Sequence, residues 1–203
     1  MTSTPWPMRV GSILLREATA ADIDTLYSFR TLPEVNRWML RTSVDPDTFR
    51  REWLAVPDSE TEFSCVAEAD GELVAIGFLD IEDGMGQPGM PTGTEAGIGY
   101  LVRPEASGRG VASAVARGLV SAAFDHLGIR RVTAGCYADN VASARVLEKV
   151  GMRREQHGVQ DSWHAELGWV DGYTYAILAE EWAASAANRG PGWPASEMDD
   201  RTT

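Results

Sequence analysis

The strongest constraint on the fold is one change of pattern in mid-chain, where an apolar run of strand length meets a glycine-punctuated loop and then a long helical repeat. Residues 94–102 (TEAGIGYLV) read as a strand. Ser107-Gly108-Arg109-Gly110-Val111-Ala112 is the loop, and from Val111 to Leu127 the positions Val111, Val115, Leu119 and Ala122 recur near helical period. Glycines let such a loop turn without a Cβ clash, and the unbonded N–H groups of the helix's first turn, reinforced by the macrodipole, form an anion site that suits a pyrophosphate. The same small residues also serve a plain tight turn, so the loop alone leaves both readings open. A dinucleotide fold is disfavoured. Its third glycine position is Ser113 here, and no βαβ unit opens the chain.

Around this segment the pattern predicts alternating elements. Residues 1–10 hold two prolines and no period, and read as an N-terminal extension; residues 11–16 (GSILLR) read as the first strand. Thr19 with Asp22 gives a capping-box-like start to a helix running toward Phe29. Pro33 opens a short helix carrying Val35, Trp38 and Met39, and Asp45-Pro46 caps another ahead of Phe49. Residues 62–68 and 72–80 flank Asp70-Gly71, a dipeptide that favours a hairpin turn, and a Gly- and Pro-rich loop follows over 82–93. Residues 129–136 read as a strand and 140–150 as a helix ended by Gly151, with strands over 153–163 and 169–178. The ordered domain ends at Ala187, and residues 188–203 read as a disordered tail.

A length of 203 residues suits one domain, and 44% hydrophobic with 24% charged residues suits a chain that buries a core. The formal charge of −12 argues against nucleic acid as a partner and draws a cationic amine toward the molecule. Cys65 and Cys136 are too few and too far apart for a disulfide framework or a zinc site, so a reducing cytoplasm and no metal are expected. No apolar stretch is long enough to cross a bilayer.

The landmarks IGYLV, SGRGVA and DNVASARVLEKVGM, in that order and with the opening LLREATAADIDTLYSFRTLPEVNRW, together resemble the GNAT N-acetyltransferase superfamily. Within it the chain resembles the branch of bacterial ribosomal-protein N-terminal (alanine/serine) acetyltransferases, over roughly Ser12 to Trp182. The resemblance implies an α/β (α+β) fold over residues 11–187, with a mixed, mostly antiparallel sheet of six to seven strands and helices on both faces. It implies acetyl-CoA as acyl donor, with its pyrophosphate on the N–H groups of Gly108, Arg109, Gly110, Val111, Ala112 and Ser113. The pantetheine arm would pair with the backbone of Tyr100, Leu101 and Val102, and Asn140, a helix N-cap on physical grounds, would contact the arm or its local backbone. Many members carry Gln or Arg where this loop has Ser107, a change that leaves the backbone cradle intact.

Acetyl transfer to an amine needs a neutral nucleophile, a stabilised oxyanion and a proton for the departing thiolate. In the family a bulge in the strand matching Glu95–Val102 exposes a main-chain donor, which points to the neighbourhood of Leu101. The tyrosine acid of many relatives is Leu147 here. The ribosomal-protein branch uses a serine that corresponds to Ser143. The usual base position falls on Gly97, which leaves Glu95 on the same strand face and Asp161 as candidates, with His157 or a water as alternatives. Cys136 reads as a core position rather than an acyl carrier, and Trp38, Met39 and Phe49 are candidates for the acceptor wall. The acceptor is a primary amine, either a protein N-terminus or a small molecule, and the branch suggests a homodimer. A catalytically silent acyl-CoA-binding sensor is the competing reading.

Overall fold

The computed structural model describes residues 4–187, so the expected tail over 188–203 lies outside the described residues. A turn at Gly11 folds β1 (Met8–Val10) onto β2 (Ile13–Arg16), and β2 pairs with β3 (Cys65–Ala69). Asp70 and Gly71 take φ of 52° and 83° and return the chain into β4 (Glu72–Glu82), the left-handed pair that a two-residue hairpin turn requires. β4 pairs with β5 (Glu95–Val102) in unbroken register, and β6 (Arg131–Tyr137) lies parallel to β5. β7 (Arg153–His164) and β8 (Gly168–Leu178) form the last hairpin, inserted so that β8 rests on β6. The sheet order is β1-β2-β3-β4-β5-β6-β8-β7, antiparallel except at β5 and β6.

This is the expected mixed architecture with eight strands in place of six or seven. The extra strand is β1, in the stretch that sequence pattern marks as an extension. Three residues cannot display an alternation, yet Met8 is 1% exposed and the Trp6 indole donates to the Phe63 carbonyl at 3.0 Å. Its order comes from tertiary burial.

Helices cover both faces. On one, α1 (Ile23–Arg30) and α3 (Pro46–Ala55), with the short α2 (Pro33–Asn36) between them, pack Leu26, Phe29, Phe49 and Trp53 against Val66, Ile76 and Leu101. On the other, α4 (Val111–Ser121) and α5 (Val141–Val150) set Val115, Leu119 and Leu147 against Leu15, Leu79 and Tyr175. α6 (Ala179–Ala187) closes the described chain. Asp45 accepts the Thr48 N–H at 2.9 Å and Gly151 ends α5 at φ 102°, as their residue types predict. The start of α1 differs: the Asp22 carboxylate accepts from Thr19 N and Oγ1 and from the Arg16 guanidinium, so the helix begins at Ile23. No helix among the described residues is long and apolar enough to cross a membrane.

Candidate active site

β5 and β6 pair only at Glu95↔Arg131, Ala96↔Val132 and Gly97↔Thr133, and beyond Gly97 they part. The parting opens a cavity of about 650 Å³, lined by Ile98–Val102 on one side and by Ala134–Tyr137 with Gly172–Thr174 on the other. No register shift interrupts β4 against β5, so the site opens by divergence of two parallel strands and the expected bulge in β5 is absent. The direction of the β5 backbone follows from two contacts. Arg103 N–H donates to the Val74 carbonyl at 2.8 Å, and the Ala96 carbonyl accepts from Thr133 Oγ1 at 3.5 Å. Strand alternation then turns Leu101 N–H toward β4 and sends those of Ile98, Tyr100 and Val102 into the gap. Main-chain donors therefore reach the gap from Ile98, Tyr100 and Val102, and of the three residues expected to pair with pantetheine only Tyr100 and Val102 present backbone groups there.

The first turn of α5 faces the same gap. Asn140 caps it by accepting the Ser143 N–H at 3.2 Å, which fixes Ser143 at the cavity wall. Ser143 Oγ lies 3.0 Å from the Tyr100 hydroxyl, and its carbonyl 3.3 Å from the same oxygen. Burial pushes the Tyr100 phenol up to about 12, so it stays protonated. Cys136 also lines the cavity, where burial raises its thiol and makes it a poor nucleophile. Sequence reasoning had assigned Tyr100 its backbone role alone. Its alternation with Ile98 and Val102 was the signal that its side chain faces α5.

Asp161 reaches the cavity from the opposite side through a local distortion of β7. The register slips between Gly158 and Ser162, Gln160 takes φ 49°, and Asp171 accepts Gln160 N–H at 2.9 Å while holding His157 Nε2 at 2.6 Å. Gly158 and Gly172 leave the space: a Cβ on Gly172 would stand 2.6 Å from Asp161 Oδ1 and 2.5 Å from Ser162 Oγ. Simple alternation of Glu155, His157, Val159, Asp161 and Trp163 on one face is thus broken: the slip at Arg154/Gln156 adds one residue to β7 and shifts the phase, and the two extra residues between Gly158 and Ser162 turn Asp161 toward Gly158 and Gly172. Glu155 turns to Arg131 and Arg153, and His157 supports the bulge.

Glu95 lies apart from this cluster. It stands where β5 and β6 are still paired, 2.8 Å from Arg130 and 3.5 Å from Arg131, and is not among the cavity residues. The side-chain space at Gly97 is occupied from β4, where Glu82 Oε1 would lie 3.2 Å from a Cβ at that position. Asp80, opposite Gly97, is raised by burial and by the Glu82 charge.

Trp38 and Met39 line the cavity with Glu34 and Arg41, whereas Phe49 is buried between Tyr27 and Trp53. Trp38 is held by ring contacts with Tyr137 at 5.9 Å and with His164 at 5.0 Å. His164, 3% exposed, accepts the N–H groups of Glu166 and Leu167 at Nδ1 and donates from Nε2 to the Arg37 carbonyl at 2.7 Å. One imidazole thereby ties the β7–β8 turn to the segment that carries Arg37 and Trp38.

At the far end of the gap, Gly108 and Gly110 take φ of 75° and 82°, a Cβ at either would meet nothing within 4 Å, and no side chain caps α4. The loop from Ser107 through Gly110 is exposed, and Val111, Ala112 and Ser113 form the first turn. Their N–H groups are placed for an anion. Among the described residues no group of His, Cys, Asp or Glu is placed to hold a metal.

Comparison with known proteins agrees with this geometry. The profile of the acetyltransferase (GNAT) domain matches residues 12–153. The uncharacterized N-acetyltransferase YnaD of Bacillus subtilis is 36% identical over 85 residues, 42% of this chain and 49% of that protein, so that match spans about half of the relative. Mycobacterium smegmatis RimJ, solved in complex with CoA-disulfide, superposes with a TM-score of 0.69 at 21% identity, covering 90% of this chain and 96% of RimJ. The ribosomal-protein-S5-alanine acetyltransferase of Vibrio fischeri gives 0.70 at 15% identity, covering 86% of this chain and 97% of its own. With the domain profile spanning more than half of the residues, and strands that part above a glycine loop and an uncapped helix, the chain belongs to the GNAT acetyltransferase family.

Proposed function

We propose that the chain moves an acetyl group from acetyl-CoA directly to a primary amine, of a protein N-terminus or a small molecule, in a ternary complex. The observation that carries this reading is the cavity between β5 and β6, into which Ser143 and Asp161 project from opposite sides. The donor's pyrophosphate belongs on the first turn of α4 and its arm along the open edge of β5, leaving the acceptor to enter past Trp38 and Met39. Asp161 takes a proton from the ammonium or from the attacking nitrogen. The new N–C bond forms as the carbonyl electrons move to oxygen, where the Ile98 or Tyr100 N–H receives the charge. Collapse of that oxyanion breaks the C–S bond, and the Ser143 hydroxyl protonates the thiolate.

The test is thiol release from acetyl-CoA against ribosomal-protein N-terminal peptides, polyamines, amino acids and aminoglycosides. Acceptor-dependent release with a mass gain of one acetyl group is the expected result. Donor binding by calorimetry without release to any acceptor would favour a silent sensor, and absence of donor binding would overturn the reading. A cytoplasmic homodimer is the matching proposal for the assembly, checked by light scattering.

A further inference from the structure

Tyr100 projects from β5 across the gap to the first turn of α5, the two elements between which the donor's thioester would lie. Its phenolic oxygen lies 3.0 Å from Ser143 Oγ, a pair in which either hydroxyl can donate, and 3.3 Å from the Ser143 carbonyl, which accepts from it. The phenol is also a poor acid in this place, because burial disfavours the phenolate. A protonated phenol at this distance from a serine hydroxyl is placed to donate to it. Ser143 N–H is already held by Asn140, so the residue is restrained from both its backbone and its side chain.

We propose that Tyr100 is a positioning residue for the acid: by donating to Ser143 Oγ it turns the serine's own O–H toward the leaving sulfur and makes that hydrogen more acidic. The inference rests on the assignment of Ser143 as the acid. When the C–S bond breaks, the Ser143 proton passes to sulfur, and the Tyr100 hydrogen bond stabilises the charge left on Oγ until solvent returns a proton. Tyr100 keeps its own proton throughout. In this chain the position of the tyrosine acid found in many relatives is Leu147, and a tyrosine from the facing strand acts through the serine instead.

The experiment is a double-mutant cycle of Tyr100→Phe and Ser143→Ala, read as kcat and as KM for acetyl-CoA with one saturating acceptor. Tyr100→Phe removes one oxygen and keeps the ring, and is expected to lower kcat about tenfold, the size of one lost hydrogen bond, with donor KM within about twofold. In the Ser143→Ala background the same substitution changes nothing further, because its effect travels through the missing hydroxyl. Unchanged kcat in Tyr100→Phe beside a low kcat in Ser143→Ala overturns the tyrosine's role alone, as does full additivity of the two losses. Unchanged kcat in Ser143→Ala overturns the acid assignment, and this inference with it. A raised donor KM with unchanged kcat would show that the hydroxyl only helps to hold the donor, and would overturn its role toward the acid.

Discussion

Ser143 and Asp161 enter one cavity from different elements, and each can be tested by removing a single functional group. Ser143→Ala is expected to cut kcat by about 10²-fold or more while leaving acetyl-CoA affinity within about twofold, measured by steady-state kinetics and calorimetry. Asp161→Asn keeps the shape over Gly158 and Gly172 but removes the proton acceptor, so kcat/KM for the amine falls by about 10²-fold or more with the donor KM unchanged. Cys136 predicts the opposite outcome. Its thiol is raised by burial, and Cys136→Ala should retain turnover within about threefold with no acetyl adduct on the protein by mass spectrometry. Ser143 was singled out by the family resemblance of the Asn140 motif, since an early-helix serine by itself reads as bonding the backbone. Tyr100's hydroxyl was harder to see, because the sequence gives its strand face but not what the facing helix brings to it.

At the scale of elements, the bulge in β7 is the device that aims Asp161. Its conditions are Gln160 in a left-handed conformation, the Asp171 carboxylate beneath it, and glycines at 158 and 172. Gly172→Ala should therefore drive Asp161 and Ser162 aside and lower kcat without changing donor affinity. The glycine loop behaves differently, since a Cβ at Gly110 would meet no atom but would be strained at φ 82°. Gly110→Val should raise the acetyl-CoA dissociation constant by distorting the first turn of α4, visible by calorimetry, at a stability cost of about 1 kcal/mol or more. Alternation alone places Asp161 in phase with Glu155 and His157. The slip at Arg154/Gln156 shifts that phase and the two extra residues between Gly158 and Ser162 turn Asp161 out of it, and neither slip has a local sequence mark strong enough to predict it.

For the whole molecule, one ionic junction joins the sheet to the start of α1. Arg16 of β2 bonds Glu68 of β3 at 2.9 Å and Asp22 ahead of α1 at 2.8 Å. The guanidinium, with the Thr19 donors, holds the Asp22 carboxyl at about 2, below its ordinary 3.8. A carboxyl with a depressed folded value adds stability above its unfolded value and loses it as pH falls through the folded one. Between pH 4 and 2 the protein should lose of order 1–2 kcal/mol from this junction, and Asp22→Asn should remove that part of the acid dependence, read from urea unfolding at stepped pH. The same substitution at neutral pH leaves Arg16 with the Glu68 carboxylate and the Glu17 carbonyl and lowers the urea midpoint.

The sequence by itself determined every described strand but β1, together with the turns and caps that bound the elements. Hairpin dipeptides, helix caps and apolar periods act through neighbours a few residues away, so Asp70-Gly71, Asp45, Asn140 and Gly151 appear in the structure as their residue types predict. The tertiary structure alone decided which groups share the cavity. The parting of β5 from β6 beyond Gly97, the burial of β1, the removal of Glu95 to an arginine pair and the meeting of Tyr100 with Ser143 all join residues distant in the chain. Sheet register and the packing of helices across it set those meetings, and no local pattern in the chain encodes them.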